Sequence, residues 1–173
     1  MGSDFKDLFG DWRPDDESLP PESEERRQRA LDEKEVKVVN VWEGVVEPPA
    51  VAAGSEGRTF FVQLRDKRDR EFRIFVLKEM AYSISMALEN DAPDRPFTHD
   101  LMKNMLDRLG ATVERVTIDD LWQDTFYAKI TLDRSGETMD IDARPSDAIA
   151  IALRYRAPIY VAESVLESAQ HEP

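Results

Sequence analysis

Alternating apolar and polar residues predict two strand hairpins, each followed by a stretch with helical spacing. The hairpins turn through short charged or glycine-containing segments at residues 66–69 and 133–136. Pro93 and Pro96 break the chain between the two halves, and Gly110 ends the helix that follows them. The predicted elements in chain order are a strand over about 36–45, a loop at 48–57, strands at 59–65 and 71–77, helices at 78–90 and 99–109, strands at 111–118, 125–132 and 137–142, a helix at 147–156, a strand at 158–162 and a helix at 163–169.

The second half of this order repeats the first. Residues 59–62 (TFFV) match residues 125–128 (TFYA) at an offset of 66, and apolar positions around Ile84 match those around Ile149 at an offset of 65. The sequence therefore predicts an α+β fold, with a mixed or antiparallel sheet, packed helices and an internal pseudo-duplication of a strand–strand–helix unit. Chance similarity between two hairpin–helix units is the alternative.

The chain divides into an N-terminal extension, residues 1–34, and one domain, residues 35–170. The extension has few aliphatic residues and carries 11 acidic and 6 basic residues, so we expect it to be mostly disordered. Phe5, Leu8, Phe9 and Trp12 are spaced like one face of a short helix. They indicate either a peptide that docks into a partner's groove or a tail with incidental aromatic residues.

Composition narrows the classes of function. The net charge is −13, which disfavours tight nonspecific binding of nucleic acid, because such binding depends on cations that displace counterions from phosphates. The chain contains no cysteine and 2 histidines, which excludes thiolate and multi-histidine metal sites. We find no signal-peptide pattern and no apolar run of membrane-spanning length, and we expect a cytoplasmic protein that does not bind membranes and folds without a metal.

The first candidate polar cluster lies at the predicted start of the helix at 99–109. Thr98 is expected to cap that helix, with His99 and Asp100 in its first turn and Arg95 just before it. These residues indicate either a site or a solvated helix start, where an acidic residue interacts favourably with the helix dipole.

The second candidate cluster spans residues 140–147. Strand alternation places Asp140 and Asp142 on one face, where two carboxylates could share a divalent cation. Ser146 is expected to cap the next helix, Asp147 lies in its first turn, and Arg144 could hold a phosphate. If a metal binds here, the oxygen ligands favour Mg²⁺ or Mn²⁺. A structural network of ion pairs is the alternative.

The two clusters together resemble the signature segments of the bifunctional nuclease (BFN) domain family, and the resemblance runs from about Val36 to Val165. The segments are Arg95-Pro96-Phe97-Thr98-His99-Asp100-Leu101, Thr125-Phe126-Tyr127-Ala128 and Asp142-Ala143-Arg144-Pro145-Ser146-Asp147-Ala148-Ile149-Ala150. The resemblance implies an α+β fold, commonly a homodimer, and cleavage of both RNA and DNA, an activity attributed to plant members. The chain departs from some relatives in lacking a C-terminal UVR-like helical motif and in carrying the acidic extension.

Two hypotheses of function follow. As a nuclease, the protein would use His99, Asp100, Asp142 and Asp147 for catalysis, with Asp142 and Asp147 as the ligands of Mg²⁺ or Mn²⁺. Its substrate-binding residues would be Arg95, Arg144 and Ser146, and its binding of RNA or DNA would be weak. As a non-catalytic homodimeric binding or regulatory module, it would use the same residues as helix caps and ion pairs. A third hypothesis is a small anion pocket at the N-terminus of the helix that Ser146 is expected to cap.

Overall fold

Seven strands and four helices make up the residues that the computed structural model describes, 32–45, 58–123 and 125–169. The first strand begins at Glu33, two residues before the predicted domain boundary. Residues 1–31 of the N-terminal extension, with the docking peptide or tail predicted there, and the loop at 48–57 lie outside the described residues. The strands are β1 Glu33–Val45, β2 Arg58–Asp66, β3 Glu71–Val76, β4 Thr112–Trp122, β5 Thr125–Arg134, β6 Glu137–Ala143 and β7 Ile159–Ala162. The helices are α1 Lys78–Glu89, α2 Thr98–Arg108, α3 Pro145–Tyr155 and α4 Glu163–Ala169.

All seven strands form one sheet in the order β3-β2-β1-β7-β4-β5-β6. Neighbouring strands are antiparallel except β4 and β7, which are parallel. The predicted α+β class and mixed sheet are therefore confirmed. Each half contributes three antiparallel strands followed by a helix, and the internal duplication remains a prediction.

The turn chemistry explains why the two predicted hairpins form. In the second hairpin, Ser135 and Gly136 have φ values of 57° and 86°, the left-handed pair that a two-residue hairpin turn needs. In the first hairpin, the Asp66 carboxylate accepts hydrogen bonds from the backbone N–H groups of Arg68 and Arg70, at 2.8 and 2.9 Å. The Arg70 side chain then reaches Glu163 on α4, so this turn is tied to the last helix.

The sheet curls around α3. This helix contacts β4, β5 and β3, although β3 lies at the far edge of the sheet, and Phe72 on β3 lies 6.4 Å from Phe126 on β5 between ring centroids. Five consecutive residues of α3, from Ala148 to Ala152, are completely buried. The apolar sequence of this helix therefore correctly predicted its burial.

Both predicted N-caps are wrong by one or two residues. The cap of α2 is Phe97 rather than Thr98, because the Asp100 carboxylate accepts the Phe97 backbone N–H at 3.0 Å and so satisfies the first free donor. The cap of α3 is Arg144 rather than Ser146, because Pro145 occupies the first helical position, where its fixed φ suits the helix. Ser146 consequently lies inside the first turn.

No helix in the described part of the chain is long and apolar enough to cross a membrane.

Candidate active site

The starts of α2 and α3 meet, although their sequences lie far apart. His99 in the first turn of α2 places its Nε2 atom 3.1 Å from Oδ1 of Asp147 in the first turn of α3. The second oxygen of Asp147 accepts a hydrogen bond from Nε of Arg144 at 2.7 Å. The structure thus joins one residue of the first sequence cluster to two residues of the second.

His99 is a buried bridge between three helices. Its ring is 2% exposed, and its Nδ1 atom lies 2.9 Å from Oγ of Ser83 on α1. Arg154 donates to the same Ser83 oxygen at 3.2 Å, which leaves the Ser83 hydroxyl proton for His99 Nδ1. In the arrangement that satisfies every group, Nδ1 of His99 accepts the Ser83 hydroxyl proton and Nε2 of His99 donates to Asp147.

A second arginine–carboxylate pair is linked to this bridge through Ser83. Arg154 on α3 donates from Nε to Oδ1 of Asp100 at 2.6 Å, and its side chain is 7% exposed. Burial alone would raise the pKa of Asp100, but the hydrogen bonds from Arg154 and from the Phe97 backbone outweigh it and lower that pKa. We call Ser83, His99, Asp100, Arg144, Asp147 and Arg154 the interhelix network.

Asp147 is a partly exposed carboxylate of this network that also contacts the buried ring of His99. Hydrogen bonds from His99 and Arg144 outweigh the effect of burial and lower the pKa of Asp147 to about 2. The side chain of Asp147 is 26% exposed, while that of Arg144 is 67% exposed. At neutral pH the network therefore presents an ionised carboxylate that can accept a further hydrogen bond. It also presents an exposed guanidinium whose N–H groups other than Nε–H bond to none of the described residues.

Three other predicted site residues are placed differently. Arg95 lies exposed before α2, and within the described residues no hydrogen bond or ion pair joins it to the interhelix network. Asp142 lies on β6 opposite Lys129 and has no such link either. Ser146 lies in the first turn of α3, beside Asp147. The described residues contain no group of three or more His, Asp or Glu side chains placed to hold a metal ion.

A groove runs beside the start of α3. It encloses about 290 Å³ between the end of β3, the start of β5 and the first turn of α3. We call it the α3 groove, and its lining residues are Ile74, Phe75, Val76, Leu77, Met80, Thr125, Phe126, Arg144, Pro145 and Ser146. Arg144 is the charged residue of this lining, so a ligand with an apolar part and an anionic part matches it.

Sequence reasoning missed Ser83 and Arg154. Ser83 is a polar residue next to Ile84 on the buried side of α1, and Arg154 is a charged residue that directly follows the apolar run of α3 at 148–153. A polar side chain at such a position must find a partner, since burying it alone is costly. That rule marks both residues as members of a buried network without naming their partners.

The fold and the site define a class of protein, an α+β domain in which two helix starts bring an imidazole, a carboxylate and a guanidinium together beside a groove. Comparison with protein families matches residues 62–173 to the bifunctional nuclease domain. The chain belongs to the bifunctional nuclease domain family.

Several curated relatives share this domain. An uncharacterised protein of Mycobacterium tuberculosis is 42% identical over 101 residues, which cover 58% of this chain and 60% of that protein. Bifunctional nuclease 1 of Oryza sativa subsp. japonica is 33% identical over 103 residues, 58% of this chain and 31% of its own length. Bifunctional nuclease 2 of Arabidopsis thaliana is 33% identical over 91 residues, 51% of this chain and 28% of its own length. The chain thus spans less than two thirds of the length of these relatives.

Proposed function

We propose that the protein is a nuclease that hydrolyses phosphodiester bonds of RNA and DNA at the start of α3. The observation that carries the proposal is the Arg144–Asp147 pair, an exposed guanidinium held at 2.7 Å by an ionised carboxylate at the wall of the α3 groove. Relatives named bifunctional nucleases support the same reading.

The geometry favours a distinct role for each residue of the pair. Arg144 has outward N–H groups that can bind the oxygens of the scissile phosphate, and its Nε bond to Asp147 fixes the plane of the guanidinium. Asp147 can accept a hydrogen bond from the attacking water and so orient it towards phosphorus. The attack forms a new P–O bond and breaks the P–O bond to the leaving sugar oxygen; the attacking water releases its proton to solvent, and solvent water protonates the leaving oxygen.

In this proposal His99 is a positioning residue. Its ring is buried and both of its nitrogens already have partners, so it holds Asp147 in place rather than touching the substrate. Asp100 acts at one remove, since its carboxylate fixes Arg154, and Arg154 in turn fixes Ser83. Acid–base catalysis by His99 or Asp100 therefore requires a change of conformation at the start of α2.

Metal assistance remains part of the proposal, with Asp142 and Asp147 as the ligands of Mg²⁺ or Mn²⁺. A bound cation would stabilise charge on the phosphate and activate water. The described residues do not gather a ligand set of three or more acidic or histidine side chains, and both oxygens of Asp147 are already hydrogen-bonded. The roles of Arg144 and His99 above therefore do not depend on a metal, and the assay below measures its effect.

A specific observation favours a second candidate, a non-catalytic homodimeric binding module. Each oxygen of Asp100 and Asp147 accepts an internal hydrogen bond, as expected if the network serves only to hold three helices together. Leu101, Met105 and Leu109 form an exposed apolar stripe along α2, which offers a surface for the dimer in either case.

The experiment that separates the two candidates is a cleavage assay on end-labelled single-stranded RNA and DNA. The purified full chain is incubated with Mg²⁺, with Mn²⁺ or with a chelator, beside Arg144→Ala and Asp147→Asn. We expect cleavage by the natural protein and a loss of about a hundredfold in each variant, the effect of removing one transition-state hydrogen-bond donor or its support.

Arg115→Ala is the matched control. Arg115 is also an arginine that pairs with a carboxylate, Glu33 at 2.5 Å, but it lies on β4 and does not line the α3 groove. Its cleavage rate should equal that of the natural protein. Intact substrates with every metal, or equal rates for natural protein, Arg144→Ala and Asp147→Asn, would select the binding module instead.

A further inference from the structure

Three aromatic side chains lie side by side across the outer face of the sheet. Trp42 on β1 is directly opposite Phe61 on β2, and Phe61 is directly opposite Phe75 on β3. Residues that pair in this way on antiparallel strands project from the same face. The neighbouring pair of Val41 and Val62 projects to the opposite face, where Val62 is completely buried in the core. We call Trp42, Phe61 and Phe75 the aromatic row.

The aromatic row is open to solvent at both ends. Trp42 is 46% exposed and Phe75 is 67% exposed, while Phe61 between them is half-buried. Phe61 and Phe75 meet edge to face, with ring centroids 6.2 Å apart. Exposure of large apolar rings to water is unfavourable, so a row of three that the described residues leave open indicates a surface that binds a flat, apolar partner.

Cationic and polar side chains lie among the rings. The guanidinium of Arg73 lies 4.8 Å from the centroid of the Phe61 ring. Arg65 also projects from this face and pairs with Glu71. Nε1 of Trp42 donates a hydrogen bond to Oε1 of Gln63. The rings and the arginines between them are complementary to a ligand that carries both planar bases and phosphates. They place positive charge on this face of a chain whose net charge is −13.

The row is continuous with the candidate active site. Phe75 ends the row at the sheet edge and also lines the α3 groove, which Arg144 lines from its other wall. A chain molecule lying on the row would therefore pass from Phe75 into the groove and place a backbone phosphate near Arg144.

We propose that the aromatic row is a stacking platform for single-stranded nucleic acid and that it delivers the strand to Arg144. Two strand spacings separate Trp42 from Phe75, about 10 Å, which gives room for two or three stacked bases. A duplex cannot use this platform, because its base faces are already stacked on each other. The delivery of the strand to Arg144 rests on the proposed nuclease function. The inference makes single-stranded nucleic acid the preferred substrate.

Stacking also explains how an acidic protein can hold nucleic acid. Contacts between bases and aromatic rings depend little on the total charge, and removal of one ring weakens binding by about 5- to 150-fold. The three rings can therefore supply affinity that the net charge does not.

The test is a binding measurement with the full chain. A short fluorescein-labelled oligothymidylate is titrated by fluorescence anisotropy in the presence of a chelator, and intactness of the probe is checked on a gel. We expect Trp42→Ala and Phe75→Ala each to weaken binding about tenfold or more, and Trp42→Phe and Phe75→Tyr to retain it. Trp122→Ala is the matched control, because Trp122 is a similarly exposed aromatic residue (56%) at the end of β4, outside the row and the lining of the α3 groove. Circular dichroism shows whether each variant is folded.

Further arms identify the ligand. The duplex of the same sequence should bind at least about tenfold more weakly, and thymidine monophosphate should compete poorly. The proposal is overturned by any of three results: equal affinity of Trp42→Ala, Phe75→Ala and Trp122→Ala for the single strand, equal affinity for the duplex, or competition by the mononucleotide at oligonucleotide affinity. A protein that binds no oligonucleotide overturns it as well.

The outcome is separable from that of the nuclease proposal. If binding depends on Trp42 and Phe75 but no substrate is cleaved, the platform is supported and the nuclease proposal is wrong. If cleavage depends on Arg144 but Trp42→Ala and Phe75→Ala bind as tightly as the natural protein, the platform is wrong and the nuclease proposal stands.

Discussion

Substitution of His99 by alanine removes the side chain that joins α1, α2 and α3, and its cost can be worked out from the structure. The ring is almost completely buried, so its loss leaves a cavity similar to that of a large-to-small core substitution, about 2–4 kcal/mol. The hydrogen bond to the ionised Asp147 adds about 1.5–3 kcal/mol, partly recovered by water because Asp147 is 26% exposed. We therefore expect the free energy of unfolding to fall by about 3–5 kcal/mol, a large share of the roughly 5–15 kcal/mol of a typical domain.

The assay is urea unfolding at neutral pH, followed by circular dichroism. His99→Leu is the control that separates the two contributions, because leucine fills most of the space but cannot bond to Asp147 or Ser83. It should still cost about 1–3 kcal/mol, the penalty for leaving polar partners unpaired. A His99→Leu variant as stable as the natural protein, or a loss below about 1 kcal/mol for His99→Ala, would refute the bridging role of His99.

Three further predictions concern other parts of the same structure. Hydrogen bonds hold the pKa of Asp147 at about 2 against an ordinary 3.8, so its ionisation contributes about 2 kcal/mol to the free energy of unfolding. This contribution is complete above about pH 5 and is lost as the pH falls towards 2. Urea unfolding should therefore show a larger cost of Asp147→Asn near neutral pH than near pH 2. Arg70→Met removes the guanidinium that bonds to Asp66, which is 7% exposed, and to Glu163, while Asp66 keeps its backbone hydrogen bonds. Thermal unfolding should show a loss of about 1.5–3 kcal/mol, and a change below about 1 kcal/mol would contradict the structure. Nitrogen-15 spectra of the imidazoles should show the His99 proton on Nε2, whereas a proton on Nδ1 would contradict the direction of the Ser83 hydrogen bond.

Local signals in the sequence predicted most of the elements but not their assembly. The hairpins and helices were predictable because turn residues and apolar periodicity act over a few residues, as at Ser135 and Gly136. The position of β7 was not, since this strand of four residues comes from the end of the chain and inserts between β1 and β4. Pairing between distant segments leaves no local period for sequence reasoning to detect.

The candidate site was predictable as two clusters but not as one network. Composition and motif resemblance singled out His99 and Asp147, and their 3.1 Å contact depends on how α2 packs against α3. Burial of the His99 ring likewise follows from tertiary packing, and it favours a positioning role over the catalytic role that the sequence had suggested. The sequence did not predict the aromatic row either, because its three rings become neighbours only when β1, β2 and β3 pair in register.

The most direct test of the account is the single-turnover rate at which the protein cuts one labelled single-stranded oligonucleotide. It is measured for the natural chain, for Arg144→Ala, for Asp147→Asn and for the double variant. If these two residues form one catalytic unit, the double variant should lose about as much activity as either single variant, because effects within a unit are far from additive. A double variant that cuts the oligonucleotide as fast as the natural chain would contradict the account and leave the network as a structural support.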